Sequence, residues 1–336
     1  MVRKVLIQGD GIAACCCAHR LRNLDLVTAG TKSAKAPVLL ISGQSQALLA
    51  DVFEDQELFR KSHRICKRIV SWGNRTQGAA VLPHSAAVVS EQDILDRLWA
   101  RVSARDAKDA GDVDWKIITS GPLEALSEQK CFGSRIGSVA SVRLKTRVEP
   151  NACWVESAEM GWLFLVTVSE GIGSLLCVGG PAETMLEGSR LVGFQVAGIT
   201  SGAVEFPVYP RILSPLCGPG WLACGTAAIS FDPLCGDGAA NAIREAILAS
   251  ALLRALSKGS DAGDLLAHYS WRLIRGFLRH LELCRQFYVQ GRCGPFWDSE
   301  IDRLEKGIEW IRYQLKGSKP SKFRLNGFEL EQNCGL

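Results

Sequence analysis

Val5-Leu6-Ile7 runs straight into Gly9-Asp10-Gly11-Ile12-Ala13-Ala14, and an apolar stretch of Cys and Ala follows through Leu21. A short apolar strand, a glycine turn and a small-residue helix, in that order, leave few folds open. Gly9 permits the tight turn. Gly11 lets the backbone approach a pyrophosphate at the helix N-terminus, where free amides and the dipole favour an anion. Ala14 and Ala18 keep the helix close to the sheet. A loop over about residues 28–36 and a second strand over 37–41 complete a strand–helix–strand unit, the opening of a doubly wound α/β fold. The acid that usually meets a ribose at the end of that second strand is absent. Ser42 and Gln44 stand there instead, able to hydrogen-bond but more weakly than a carboxylate.

A second glycine-punctuated segment spans residues 220–246. A strand over 221–224 ends at Gly225. Asp232-Pro233 and Gly236-Asp237-Gly238 then form a turn at the start of a long Ala/Leu helix over 239–256. Amides at such a helix start can face the pyrimidine edge of a flavin and stabilise its anionic reduced ring.

Helical periodicity also marks residues 48–59 and 91–102. From 131 to 215 the texture changes: β-formers recur at 138–142, 153–156, 162–168 and 174–178, separated by Gly, Pro and Asn. The expected fold is α/β, a Rossmann-like unit over 1–130 and 216–256 with a mostly antiparallel substrate sheet inserted over 131–215. C-terminal helices over 257–316 follow, with Leu265, Tyr269, Leu273, Phe277 and Leu281 at helix spacing and a break at Gly294-Pro295. Residues 317–336 read as a loose tail.

Composition narrows the function. The 336 residues carry 39 basic and 35 acidic side chains, and a net charge of +4 interleaved along the chain argues against nucleic acid. Hydrophobic residues at 47% exclude disorder as the dominant state. No apolar stretch reaches about 18 residues without a charge or break, so no membrane span is expected. Thirteen cysteines without a Cys-x-x-Cys pair or an export signal read as packed thiols in a reducing cytoplasm, and no metal site is expected.

Together the two motifs resemble the FAD-dependent aromatic hydroxylases and the flavin-dependent tryptophan halogenases, over most of residues 1–256. The resemblance implies a p-hydroxybenzoate hydroxylase-like fold and FAD as cofactor. It implies cofactor contacts from Gly9, Gly11, Ile12, Ala13, Ala14, Ser42, Thr226, Asp232, Pro233, Gly236, Asp237, Gly238 and Ala239. Thr226 replaces the Asp that these families place after the strand-ending glycine. The halogenase motif Gly-Trp-x-Trp-x-Ile-Pro is kept only at Gly161 and Trp162, since Phe164, Val166 and Thr167 depart from it, and no active-site lysine can be placed.

The segments Pro37-Val38-Leu39-Leu40-Ile41-Ser42, His63-Arg64-Ile65, Ile69-Val70-Ser71-Trp72-Gly73, Ala152-Cys153-Trp154-Val155-Glu156, Gly161-Trp162-Leu163-Phe164 and Phe231-Asp232-Pro233-Leu234-Cys235-Gly236-Asp237-Gly238 look closer to another branch. These are the flavoprotein monooxygenases that hydroxylate a tryptophan in a partner protein while tryptophan-derived quinone cofactors of amine oxidases and dehydrogenases mature. By that resemblance reduced FAD activates dioxygen and passes one oxygen to an indole, with reducing equivalents from NAD(P)H or a reductase. His63, His84 and Trp162 are substrate-side candidates, though a surface or satisfied core place is the commoner role for each histidine and ordinary sheet packing suits Trp162 at least as well. Three alternatives stay open: a hydroxylase or halogenase of a free small aromatic, a degenerate flavoprotein that binds a partner, and a nicotinamide-dependent dehydrogenase. The last leaves residues 225–238 without a role. Trp271, Phe277, Phe287, Tyr288, Phe296 and Trp297 suit either a docking surface or a core.

Overall fold

In a computed structural model, which describes residues 2–30, 37–73, 78–106, 111–121, 123, 127–235, 238–317 and 322–332, the strand Lys4–Gln8 lies inside a six-stranded sheet. The spatial order is Cys217–Gly218, Trp221–Ala223, Trp115–Ile118, Lys4–Gln8, Asp25–Ala29, Arg105–Asp106. All neighbours are parallel except the first pair. Seven helices occur among the described residues: α1 (Ile12–Arg20), α2 (Gly43–Phe53), α3 (Glu91–Trp99), α4 (Ala182–Glu187), α5 (Gly238–Ser257), α6 (Ala262–Gly291) and α7 (Pro295–Leu315).

The partner of the first strand is not the one the sequence suggested. Asp25–Ala29 follows α1 after a brief turn and pairs with Lys4–Gln8, with Val5 opposite Leu26 and Ile7 opposite Thr28. Only Leu26 and Val27 are strongly apolar there, so the Val-Leu-Leu-Ile run at 38–41 looked stronger. That run, Val38–Ser42, instead edges a second sheet, antiparallel to Ala80–Ser90. Ser42 accordingly caps α2, its hydroxyl accepting from Ser45 N at 3.3 Å, and does not end the strand beside the glycine turn. The end of the true second strand is Ala29-Gly30, which likewise offers no carboxylate.

The second sheet has nine strands. Its order is Val196–Ile199, Ile136–Leu144, Ile172–Val178, Gly161–Ser169, Ala152–Ala158, His63–Ser71, Ala80–Ser90, Val38–Ser42, with Val204–Pro207 also against Ile136–Leu144. Every pairing is antiparallel except Ala152–Ala158 with His63–Ser71. The sheet expected from 131–215 therefore also takes three strands from residues 38–90.

Helix α1 is buried from Ile12 to His19, which explains a run of Ala and Cys with no polar face. Helices α5, α2 and α3 pack against it, and the Tyr269 hydroxyl on α6 donates to Ala223 O at 2.6 Å, pinning α6 to the sheet. Residues 322–332, expected as a loose tail, form a hairpin (Phe323–Asn326 with Glu329–Gln332) held by Arg254 Nε on Glu329 at 2.8 Å. No helix among the described residues is long and apolar enough to cross a membrane.

Candidate active site

Both glycine motifs end at the same edge. The C-terminal ends of the parallel strands deliver Gly9, Ala29-Gly30, Thr119-Ser120 and Gly225-Thr226 side by side, where open α/β sheets hold their ligands. Gly9 N donates to Ala29 O at 2.7 Å, and Thr119 N to Gln8 O at 2.7 Å. Gly9 has φ +127°, and a Cβ there would lie 2.0 Å from Thr119 Oγ1, so only glycine fits. A Cβ at Gly225, φ +60°, would lie 2.8 Å from Ala13 Cβ. The first turn of α1 and the turn Gly225–Ala227 thus touch, joining two motifs more than two hundred residues apart.

The residues present fit a dinucleotide. Gly11 caps α1 with no side-chain hydrogen bond, no acid occupies the first turn, and a Cβ on Gly11 would meet no protein atom within 4 Å. The open space lies in front of uncommitted helix amides, which suits a diphosphate. Ile12, Ala13 and Ala14 are buried behind it. Thr226 is exposed on the same edge, its hydroxyl donating to Thr119 O at 3.4 Å. At the second motif Gly238 opens α5, also with free space where a Cβ would be, and Ala239 follows half-buried. Gly236 and Asp237 lie outside the described residues.

Asp232 uses its carboxylate within the protein. Its carboxylate does not face the edge; it is buried and committed to a network (Fully inward, it meets Arg135 Nε at 3.0 Å). Tyr288 Oη donates to Asp232 Oδ2 at 2.9 Å, Leu234 N donates to Oδ1 at 2.8 Å, and Trp162 Nε1 donates to Tyr288 Oη at 3.2 Å. Arg135 also pairs with Glu300, whose carboxylate accepts from Ser134 Oγ at 2.9 Å. Burial opposes the Arg135 charge, but Tyr288, Asp232 and Glu300 hold the guanidinium above its ordinary value. Asp232 therefore positions the loop bearing half-buried Pro233 by anchoring it to α6, α7 and the second sheet.

The substrate-side candidates are dispersed. Trp162 is 1% exposed, enclosed by α6, with its N–H spent on Tyr288. His63 Nε2 lies 2.8 Å from Pro150 O, beside a cavity of about 370 Å³ that Lys61, Asp93 and Arg97 also line. This cavity opens at the first turns of α3, while Trp99 at the other end of α3 donates to Asp10 O at 3.0 Å. His84 lies 3.2 Å from Arg68, and burial, then Arg68, lower its pKa to about 4. Of the C-terminal aromatics, Phe277, Tyr288 and Trp297 are core residues.

Sequence reading missed several groups. Glu245 is buried on α5, accepts from Gly225 N at 2.7 Å, and burial lifts its pKa to about 8. The one hint in the sequence was its place about two turns after Gly238 on the same helix. Arg135 and Glu300 gave no signal, and Tyr288 read only as an aromatic suited to a docking surface or a core, since partners this distant in sequence share no spacing. Cys235, His280 and Cys284 also converge, with ligand-type atoms within 4.8 Å of one another, although no metal site was expected.

No protein-family model matches the sequence, and no curated protein matches it. Solved structures do. The peptidyl tryptophan dihydroxylase QhpG, essential for tryptophylquinone cofactor biogenesis, aligns at TM-score 0.72 and 18% identity over 99% of this chain and 86% of its own. The myxobacterial chondrochloren halogenase CndH, an FAD-dependent halogenase, aligns at TM-score 0.77 and 14% identity over 94% and 90%. A variant of HpxO from Klebsiella pneumoniae, complexed with FAD, aligns at TM-score 0.63 and 14% identity over 94% and 98%. The chain has the fold of the FAD-dependent hydroxylases and halogenases.

Proposed function

We propose that the chain binds FAD along the edge where Gly9, Gly11 and Gly225 meet, with Gly238 at the start of α5 facing the ring, and works as an FAD-dependent monooxygenase on an aromatic ring. The observation that carries this reading is the contact between the two motifs, Gly225 against Ala13, at the carboxyl ends of a parallel sheet. When bound, reduced FAD supplies activation of dioxygen. The chain's own part is to hold and shield. The first amides of α1 hold the diphosphate, Thr226 hydrogen-bonds the sugar chain, and the start of α5 faces the pyrimidine edge, where its dipole stabilises negative charge. The Arg135–Asp232–Tyr288 network fixes the loop between them.

The substrate we propose is the indole of a tryptophan, within a partner polypeptide. Likeness to QhpG over 99% of the chain supports it. An electron-rich indole needs no metal or strong nucleophile from the protein. Reducing equivalents come from NAD(P)H or a reductase, and the setting is cytoplasmic.

The test begins with an absorption spectrum of the purified protein with and without added FAD. Flavin bands that survive desalting support the reading, and a colourless protein with no titratable FAD defeats it. Oxygen-dependent mass gain on a tryptophan-containing polypeptide then supports the substrate assignment. Turnover of free indoles alone would move the substrate to the small-aromatic class, and halide incorporation would move the reaction to halogenation.

A further inference from the structure

Cys235 ends the turn Pro233–Cys235 just before α5, and Cys284 faces it from α6. Their Sγ atoms are 3.3 Å apart. Cys235 is half-buried, so a small solute can reach it, whereas Cys284 is buried. His280, one turn before Cys284, has Nε2 3.3 Å from its Sγ.

Two chemistries could explain three such groups: a metal ion, or a thiol pair. The hydrogen bonding decides. His280 Nε2 already accepts the Asp232 backbone N–H at 2.9 Å, so its lone pair is committed. Burial, then the nearby Arg135 guanidinium, depress the His280 pKa to about 3, so the ring is a neutral acceptor already engaged by Asp232 N. Zinc would also want thiolates, and burial holds Cys284 as a thiol.

We propose that Cys235 and Cys284 are a peroxide-responsive thiol pair that closes to a disulfide, joining the loop before α5 to α6. The identity of the oxidant in the cell rests on the proposed flavin chemistry, because reduced flavin that meets dioxygen without substrate releases hydrogen peroxide. In the first step the Cys235 sulfur attacks peroxide: an S–O bond forms, the O–O bond breaks, and water leaves, giving a sulfenic acid. In the second, Cys284 attacks that sulfur: an S–S bond forms, the S–O bond breaks, and the Cys284 proton leaves in a second water. Two thiols lose two electrons and one peroxide gains them. Closing the pair needs an approach of roughly 1.3 Å, given an S–S bond of about 2.05 Å, within reach of small side-chain rotations. The cross-link would tether the loop that the Asp232 network already anchors.

The test adds hydrogen peroxide directly to the reduced, purified full chain, so it does not depend on flavin binding, and maps peptides without reduction. The expected result is one Cys235–Cys284 cross-link per chain, loss of both thiols to alkylation, and recovery with dithiothreitol. Exposed Cys66 and Cys131 should remain mostly alkylatable at the same dose. Oxidation at Cys66 and Cys131 with no Cys235–Cys284 peptide overturns the proposal, as does stoichiometric zinc in the protein as purified. In Cys284→Ser, Cys235 should instead yield a dimedone-trapped sulfenic acid. A separate FAD titration of the same sample reports on the flavin reading alone.

Discussion

The guanidinium of Arg135 and the carboxylate of Asp232 meet at 3.0 Å with neither side chain exposed to solvent. Arg135 enters from the segment before the strand Ile136–Leu144, Asp232 from the loop before α5, and Glu300 from α7. One cation therefore ties three parts of the chain together. A buried ion pair adds little over an apolar replacement of the whole set, but removing one partner leaves charge stranded.

Replacing Arg135 by Met strands two buried carboxylates. The expected loss is about 3–5 kcal/mol of stability, read as a lowered denaturation midpoint in urea. A change under about 1 kcal/mol would mean that the network contributes nothing beyond packing.

The two glycines of the first motif should behave oppositely. Gly9→Ala places a Cβ against Thr119 in a strained backbone and should prevent stable folding. Gly11→Val puts its Cβ where no protein atom lies within 4 Å, and its φ of −79° suits any residue, so thermal unfolding should change little. Its side chain fills the space meant for the diphosphate. Loss of two charge-assisted hydrogen bonds, about 1.5–3 kcal/mol each, corresponds to a loss in FAD affinity of at least roughly 100-fold. Gly11→Val protein that keeps its flavin through desalting would displace the site.

Thr226→Asp restores a carboxylate where the exposed hydroxyl now stands. One charge-assisted bond to the sugar chain should tighten FAD by about tenfold, on the order of 1.4 kcal/mol. Fluorescence titration of both proteins measures it, and weaker binding would place Thr226 away from the sugar.

Glu245 makes stability depend on pH. Its ordinary pKa near 4.5 rises to about 8 on folding because burial disfavours the anion, with Gly225 N pulling the other way. Between those values the folded state holds a proton that the unfolded state has lost, so this group's contribution falls as pH rises from about 4.5 to 8 and is flat above. Glu245→Gln keeps an acceptor for Gly225 N and has nothing to titrate. The stability advantage of the variant should be near zero at pH 5 and grow to a few kcal/mol by pH 8. A constant difference across that range would show Glu245 to be ionised in the folded protein.

The glycine motifs were legible because they are local: Gly9 and Gly11 read from a few residues, and their neighbours supplied the strand and helix. The long helices were legible from Leu265, Tyr269, Leu273, Phe277 and Leu281 at regular spacing, and the structure buries all five. Strand partnership was not. Asp25–Ala29 is weakly apolar yet pairs with Lys4–Gln8, while the more hydrophobic Val38–Ser42 goes elsewhere, because position after α1 outweighs composition. Nor was the direction of Asp232. Its Asp-Pro context fits a cofactor loop, but its partners Arg135, Tyr288 and Glu300 come from three separate segments, and no spacing rule reports such a meeting.

The parallel junction between His63–Ser71 and Ala152–Ala158 also sets a schedule. During synthesis the strands from 38–90 emerge well before 152–158, and until then their free edge has no permanent neighbour. A chain stopped near residue 120 would hold that edge open to any passing strand, and the arrival of residues 152–158 is what closes it.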